Sequence, residues 1–316
     1  ANKRGIIWLR MKARNRGKPM TNPYHIEGPA LISFSGGRTS GFMLYQILQA
    51  YDGTLPADVY VTFANTGKEM PETLDFVRDC GEHWDVAIHW LEMDVDYSKP
   101  KEEMIFYREV NHKTASKEGE PFAKLIDHWN KIRATKEKNK IYVEQGMGML
   151  PNPRARFCTD YLKIRAMRDF AKKKGYKQFT NVMGLRYDEP RRVAKQDRYA
   201  TRNRMAQMPM YEAKHTKADV HKFWEESNFD LQLPIINGES PHGNCDLCFL
   251  KSHNKIYSLI KEDPKKAEWW ANQEIKAKNV FRRDRPSYIK YIELTQTQQD
   301  LFLDFEDEDM DCFCHD

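Results

Sequence analysis

The passage from Ala30 to Gln49 most constrains what this chain can fold into. Ala30-Leu-Ile-Ser-Phe-Ser35 is a short β-rich run that ends at the pair Gly36-Gly37. From Ser40 the apolar residues take helical spacing: Phe42, Tyr45 and Leu48 can share one face, with Leu44 and Ile47 beside it. A strand, a glycine turn and a helix in that order are the opening of a βαβ unit. Asp58–Ala64, Val86–Leu91 and Gln178–Gly184 read as further strands. Pro71-Glu72 suits the first turn of a helix, where proline gives up no hydrogen bond and an acid favours the dipole. Strands alternating with helices predict right-handed crossovers and a mostly parallel sheet, hence an α/β fold.

With 316 residues, 40% hydrophobic and 31% charged, the chain can bury a sizeable core and reads as globular. No uncharged apolar run is long enough to cross a bilayer, and no apolar stretch follows Ala1-Asn2-Lys3-Arg4 as in a secretory signal. A reducing, cytoplasmic setting is the expectation. The net charge of +5 suits an anionic small molecule as well as nucleic acid, so its distribution matters more than its sum. Residues 1–18 hold seven basic residues and no acid, whereas residues 304–311 read Asp-Phe-Glu-Asp-Glu-Asp-Met-Asp.

Three segments are predicted. Residues 1–28 form a basic N-terminal arm, a candidate contact for nucleic acid or another acidic partner. Residues 29–210 form the α/β domain, with the polar stretch 98–156 as helices and an insertion over one end of the sheet. Residues 211–316 form a helical, cysteine-containing C-terminal region, with helices over 217–227, 254–262 and 264–277.

A loop between a strand and a helix presents backbone N–H groups and the positive helix end to an anion. Gly36 and Gly37 allow the main chain to turn tightly and approach phosphate closely. Ser35, Thr39 and Ser40 add hydroxyl donors, and Arg38 adds charge. No Gly-Lys-Ser/Thr follows, so this is not the lysine-containing loop of common nucleoside triphosphatases. Taken alone, the glycine pair would also suit an ordinary tight turn. Arg186 and Arg192 follow a strand end and a glycine, where guanidinium groups can grip phosphate or sulfate oxygens bidentately. Lys195, Arg198, Arg202 and Arg204 fit a solvated basic face equally well.

These residues form part of an ordered series. Ser33-Phe-Ser-Gly-Gly-Arg-Thr-Ser40 is followed by Phe63-Ala-Asn-Thr-Gly67, Arg156-Phe-Cys-Thr159, Leu162-Lys163, Gly184-Leu-Arg186, Pro209-Met-Tyr211 and Gly243-Asn-Cys-Asp-Leu-Cys248. The series resembles the phosphoadenosine phosphosulfate (PAPS) reductase family, within the PP-loop group of adenine nucleotide enzymes, over roughly residues 29–255. The resemblance implies a mostly parallel sheet of five strands, or a similar number, with an adenine nucleotide across its carboxyl edge: PAPS, adenylyl-sulfate or ATP. By match to the family motifs, Ser35, Gly36, Gly37, Thr39 and Ser40 would hold phosphate, and Ser33, Arg38 and Gly184 join them as candidate nucleotide-binding residues. Phe63, Asn65 and Thr66 would lie against the nucleoside, and Arg186 and Arg192 would reach the phosphate or sulfate end. Thr39 departs from the Asp that PP-loop pyrophosphatases usually carry there, which puts magnesium-assisted pyrophosphate release in question.

Cys245-Asp-Leu-Cys248 has metal-ligand spacing but is half a site. The resemblance supplies Cys158 as a third ligand, with Phe157 where some members have another cysteine. Cys158, Cys245 and Cys248 would then hold a [4Fe–4S] cluster with one open iron, or a zinc site completed by His242, His253 or a tail cysteine. Three reduced thiols without metal are the alternative. Cys80 falls in helical period with Leu74 and Val77 and is expected in the core. The ending Asp311-Cys-Phe-Cys-His315 resembles the family's Glu-Cys-Gly-Leu-His, so Cys312 would be the nucleophile and His315 its neighbour. Phe313 and Cys314 depart from that pattern.

The resemblance implies thiol attack on the sulfur of a sulfonucleotide, with sulfite released by a second thiol from Cys314 or a thioredoxin-like reductant. A second reading is an ATP-dependent sulfurtransferase acting on tRNA or DNA. A third is a nucleotide-binding or zinc-stabilised module without catalysis.

Overall fold

The computed structural model describes residues 22–26, 28–134, 146–199, 204–235, 242–243 and 245–297. Its centre is a six-stranded sheet of order β4-β3-β2-β1-β5-β6. The strands are β1 (Ala30–Ser33), β2 (Val59–Ala64), β3 (Ile88–Val95), β4 (Ile105–Val110), β5 (Phe179–Met183) and β6 (Arg204–Gln207). Every pairing is parallel except β3 with β4. β1 to β3 step to one side of β1, and β5 and β6 lie on the other. The order therefore reverses at β1, which makes the gap between β1 and β5 the topological switch point.

The central strands β1, β2 and β5 are buried on both faces because helices cover both. Leu31 and Tyr60 face one layer, and Ala30, Ile32, Val59, Val61 and Phe63 face the other. The second layer holds α1 (Arg38–Ala50) and α2 (Pro71–His83), with Phe42, Leu44, Phe76 and Val77 in its core. The first layer holds α3 (Glu120–Ala134), a π-helix (Thr159–Ile164) and α4 (Arg165–Lys173), which continues directly from it. Beyond β5 come α5 (Pro190–Tyr199), the short α6 (Pro209–Glu212) and α7 (Lys217–Glu225). The last helices are α8 (His253–Glu262), α9 (Lys265–Ala277) and α10 (Tyr288–Thr297), and they pack onto the first layer around Trp270, Phe281 and Tyr291.

Two strands depart from the sequence expectation and bring the count to six. Residues 98–156 were expected to be helical, yet Ile105–Val110 pairs with β3 over Trp90–Val95. Arg108 and Glu109 on this edge are exposed, and charge on an edge strand blocks further pairing while hiding the apolar alternation. The four-residue β6 lies within the arginine-rich stretch and was read as basic surface. Within the expected arm, Tyr24 and Ile26 are buried in the α1 layer, and the Tyr24 hydroxyl bonds His215 Nδ1 at 2.6 Å. Residues 1–21, the rest of that arm, lie outside the described residues. α7 also belongs to the α1 layer: Trp224 Nε1 donates to the Arg38 carbonyl at 2.8 Å. No helix among the described residues is long and apolar enough to cross a membrane.

Candidate nucleotide cleft

At the carboxyl end of β1 the chain turns through Phe34–Gly37 into α1. Gly36 adopts φ +80°, a left-handed conformation, and an added Cβ would stand 2.7 Å from Thr73 Cγ2. Only glycine fits there. Gly37 is the N-cap of α1, and no side chain caps the helix and no acid stands in its first turn. Among the described residues, the positive end of α1 thus meets neither a capping side chain nor an acid in its first turn. The Ser35 and Ser40 hydroxyls stand 3.0 Å apart, and Ser40 Oγ donates to the Gly37 carbonyl at 2.9 Å, so the loop is tied to the first helical turn.

This loop forms one wall of an open cleft. Ser33, Thr62, Ala64, Asn181 and Met183, at or near the ends of β1, β2 and β5, make its floor. All point to the α4 side of the sheet, by the two-residue alternation of each strand. The opposite wall is Thr159, Lys163, Ile164 and Met167. The π-helix wraps more residues per turn than an α-helix and brings Thr159 and Ile164 to one side, a device common at functional sites. Gly184, Leu185 and Gln196 close the β5 side. Ser33 Oγ donates to Asn181 Oδ1 at 2.6 Å, fixing the floor across the switch point. The cleft thus offers an apolar slot beside the glycine turn at the start of α1.

Seven of the expected nucleotide-binding residues, Ser33, Ser35, Gly36, Gly37, Thr39, Ser40 and Gly184, gather at this end of the sheet. Arg186 joins them: its Nη1 donates to Thr39 Oγ1 at 3.2 Å. Arg186 Nε also meets Asp188 Oδ1 at 3.0 Å, and its backbone N–H donates to Glu189 Oε2 at 3.0 Å. Arg192 pairs with Glu189 as well. Both guanidinium groups are therefore held by acids at the mouth of the cleft.

Four expected contacts are placed elsewhere. Arg38 turns away from the cleft and forks onto Asp230 at 2.7 and 2.8 Å, so it anchors α1 to the 230–233 segment instead of holding phosphate. Phe63 faces the α1 layer, packed edge-on against Trp90 at 4.9 Å, because strand alternation sends Thr62 and Ala64 into the cleft instead. Asn65 is fully buried and donates to Glu92 Oε1 at 2.6 Å and to the Ser116 carbonyl at 2.8 Å. Thr66 Oγ1 donates to Glu69 at 2.9 Å. These two shape the 65–69 loop and do not line the cleft. Sequence reasoning had not singled out Ile164, Met167, Asn181 or Gln196 as site residues. Thr159 and Lys163 stood in the motif series, which was the one signal for that wall.

The cysteines are differently placed. Cys245 and Cys248 are buried, and Cys158 is half-buried against the same apolar cluster. Cys245 bridges to Glu69 in a short antiparallel contact, and its Sγ lies 3.5 Å from Thr66 Oγ1. Asp246 accepts from Trp270 Nε1 at 2.8 Å and pairs with Lys68 at 2.9 Å, both nearly sealed from water. Among the described residues no group of three or more His, Cys, Asp or Glu side chains is arranged to hold a metal ion. Cys80 is buried in α2, and desolvation pushes its thiol well above the usual range. Cys312, Cys314 and His315 lie outside the described residues.

The phosphoadenosine phosphosulfate reductase domain profile matches residues 29–233. The chain belongs to this family. The match spans the whole sheet, the Gly36–Gly37 turn and α7. The uncharacterized nin region protein ORF290 of Escherichia phage lambda is 27% identical over 268 residues, which cover 83% of this chain and 80% of that protein. The uncharacterized protein MJ0066 of Methanocaldococcus jannaschii is 33% identical over 102 residues, 32% of this chain and 20% of its own length. Among solved structures, a phosphoadenylyl-sulfate reductase from Candida auris in a phosphate complex aligns over 69% of this chain and 85% of its own. That alignment has 13% identity and a TM-score of 0.36. Membership in the family implies a sulfonucleotide-related role.

Proposed function

We propose that this PAPS reductase family chain is an enzyme that holds an adenine nucleotide in the cleft and acts on its sulfur–oxygen bond. The observation that carries the reading is the uncapped, acid-free start of α1, set at the switch point with Arg186 bonded to Thr39. The nucleotide's anionic end would take the amides of the Gly36–Gly37 turn and the Ser35 and Ser40 hydroxyls. Its base would enter the slot between Thr62 and Ala64 on one side and Ile164 and Met167 on the other. Arg186 and Arg192 would exchange their carboxylate partners for phosphate or sulfate oxygens.

The reaction follows the family resemblance. The Cys312 thiolate attacks the sulfonucleotide sulfur, forming an S–S bond as the S–O bond to phosphate breaks. The nucleotide leaves with that electron pair, stabilised by the arginines and the helix end. A second thiol, from Cys314 or a thioredoxin-like dithiol, attacks Cys312 sulfur, releasing sulfite as the thiols are oxidised to a disulfide.

A binding panel of PAPS, adenylyl-sulfate and ATP, followed by sulfite release under a dithiol reductant, tests this. The expected result is tight binding of a sulfonucleotide, sulfite from the wild type, and none from Cys312→Ser. Binding with sulfite release undiminished in Cys312→Ser would discard the nucleophile. No binding of any of the three would discard the cleft assignment.

A further inference from the structure

The helical wall of the cleft carries a charge excess that nucleotide binding does not use. Residues 154–177 hold nine basic residues against two acidic ones. The acids are Asp160 and Asp169, and each is already engaged: Asp160 by Arg165 at 2.9 Å and Asp169 by Lys173 at 2.7 Å. Arg154, Arg168, Lys172 and Lys177 are exposed and form no ion pair among the described residues. On α4, Arg165, Arg168 and Lys172 are spaced three and four residues apart and so share one outward face. Ala166, Phe170 and Ala171 fill the opposite face against the core. Cations segregated this way make a stripe, which starts beside the Lys163–Met167 wall of the cleft and runs towards the start of β5.

The far rim repeats the pattern. Arg191 is exposed and makes no ion pair among the described residues, next to Arg186 and Arg192. Tyr187, 47% exposed, rests on Tyr211 with ring centroids 5.5 Å apart and offers a flat face to solvent. Arg165 lies over the Tyr161 ring at 3.8 Å on the helical rim. Two basic banks with ring faces therefore flank one cleft.

We infer that the α4 stripe and the Tyr187–Arg191 rim form a docking surface for single-stranded nucleic acid passing the mouth of the cleft. Phosphodiester groups meet the unpaired cations, and a base stacks on Tyr187. A cleft in place of a flat face and a single exposed ring favour an unpaired strand over a duplex. The surface is distinct from the nucleotide site: Arg154, Arg168, Lys172 and Lys177 do not line the cleft.

The experiment is fluorescence anisotropy of the full chain with a labelled 20-nucleotide single strand across a salt series. The quadruple variant Arg154→Ala/Arg168→Ala/Lys172→Ala/Lys177→Ala should bind more than tenfold more weakly. Its log–log salt slope should fall by about 3, from roughly 0.7 per phosphate contact. Tyr187→Ala should weaken binding about tenfold with the slope unchanged. A control quadruple, Lys101→Ala/Lys113→Ala/Lys117→Ala/Lys265→Ala, removes equal charge elsewhere and should bind as the wild type does. Adenine nucleotide affinity should be the same in all variants, so failure here is separable from failure of the cleft assignment. An unchanged slope in the first variant, an equal loss in the control, or tighter binding of the matching duplex would each overturn the inference.

Discussion

The cleft and the Cys245–Cys248 turn both carry chemically capable residues at recognisable spacing, yet the fold treats them oppositely. At the cleft, the N-terminus of α1 has no side-chain cap, and Ser35 and Ser40 line the cleft wall. At the turn, Asp246 is met by Lys68 and Trp270, and both cysteines are buried in the apolar cluster. An uncapped helix end is tolerable only beside water or a ligand, whereas a buried charge must be paired. The first region keeps binding capacity in reserve. The second uses its polar groups to fasten the C-terminal helices to the 65–69 loop.

That contrast can be broken by substitution. Asp246→Ala leaves Lys68 charged in a nearly sealed site and should cost about 3–5 kcal/mol in chemical denaturation. A loss below roughly 1 kcal/mol would mean that the turn is not a fastening. Arg186→Ala should lower adenine nucleotide affinity about 10- to 100-fold, the worth of hydrogen bonds to a charged group. Calorimetry reads that loss, and circular dichroism should report an intact fold. Gly36→Ala forces an alanine into φ +80° against Thr73 and should cost about 1–3 kcal/mol while also weakening nucleotide binding. Equal affinity in that variant would separate the bend from the anion site.

The smallest effect concerns His242, near the cysteine turn. Burial pushes its imidazole below the ordinary value of 6.5, against an opposing pull from Glu262. The folded state thus favours the neutral ring. Its contribution is complete above pH 6.5 and is lost as pH falls from there through the folded value. Denaturation midpoints of the wild type should decline from pH 7 to 5 more steeply than those of His242→Gln. Parallel curves would show that this ring does not titrate differently in the two states.

Much of this architecture was legible beforehand, and the misses have specific causes. β1, β2, β3 and β5 announced themselves as apolar runs bounded by turns, and α1, α2 and the C-terminal helices by apolar spacing. β4 was hidden by Arg108 and Glu109, the charges that guard a sheet edge. Arg38 read as a phosphate ligand from its place beside the glycines, but Asp230, nearly two hundred residues away in sequence, captures it. Phe63 followed its motif into the expected site, although the register with β1 and β3 sends alternate side chains into the cleft.

Sequence alone therefore determined the glycine bend and the crossover pattern, while the ordered motif series carried the resemblance to the family that the domain profile shows. The bend and the crossovers depend on local backbone freedom and apolar period, which neighbouring residues set between themselves. Only the tertiary structure decided which side chains meet in the cleft, which arginine stays near it, and that the cysteine turn is buried. Those outcomes rest on pairings between distant segments, whose partners no local pattern names.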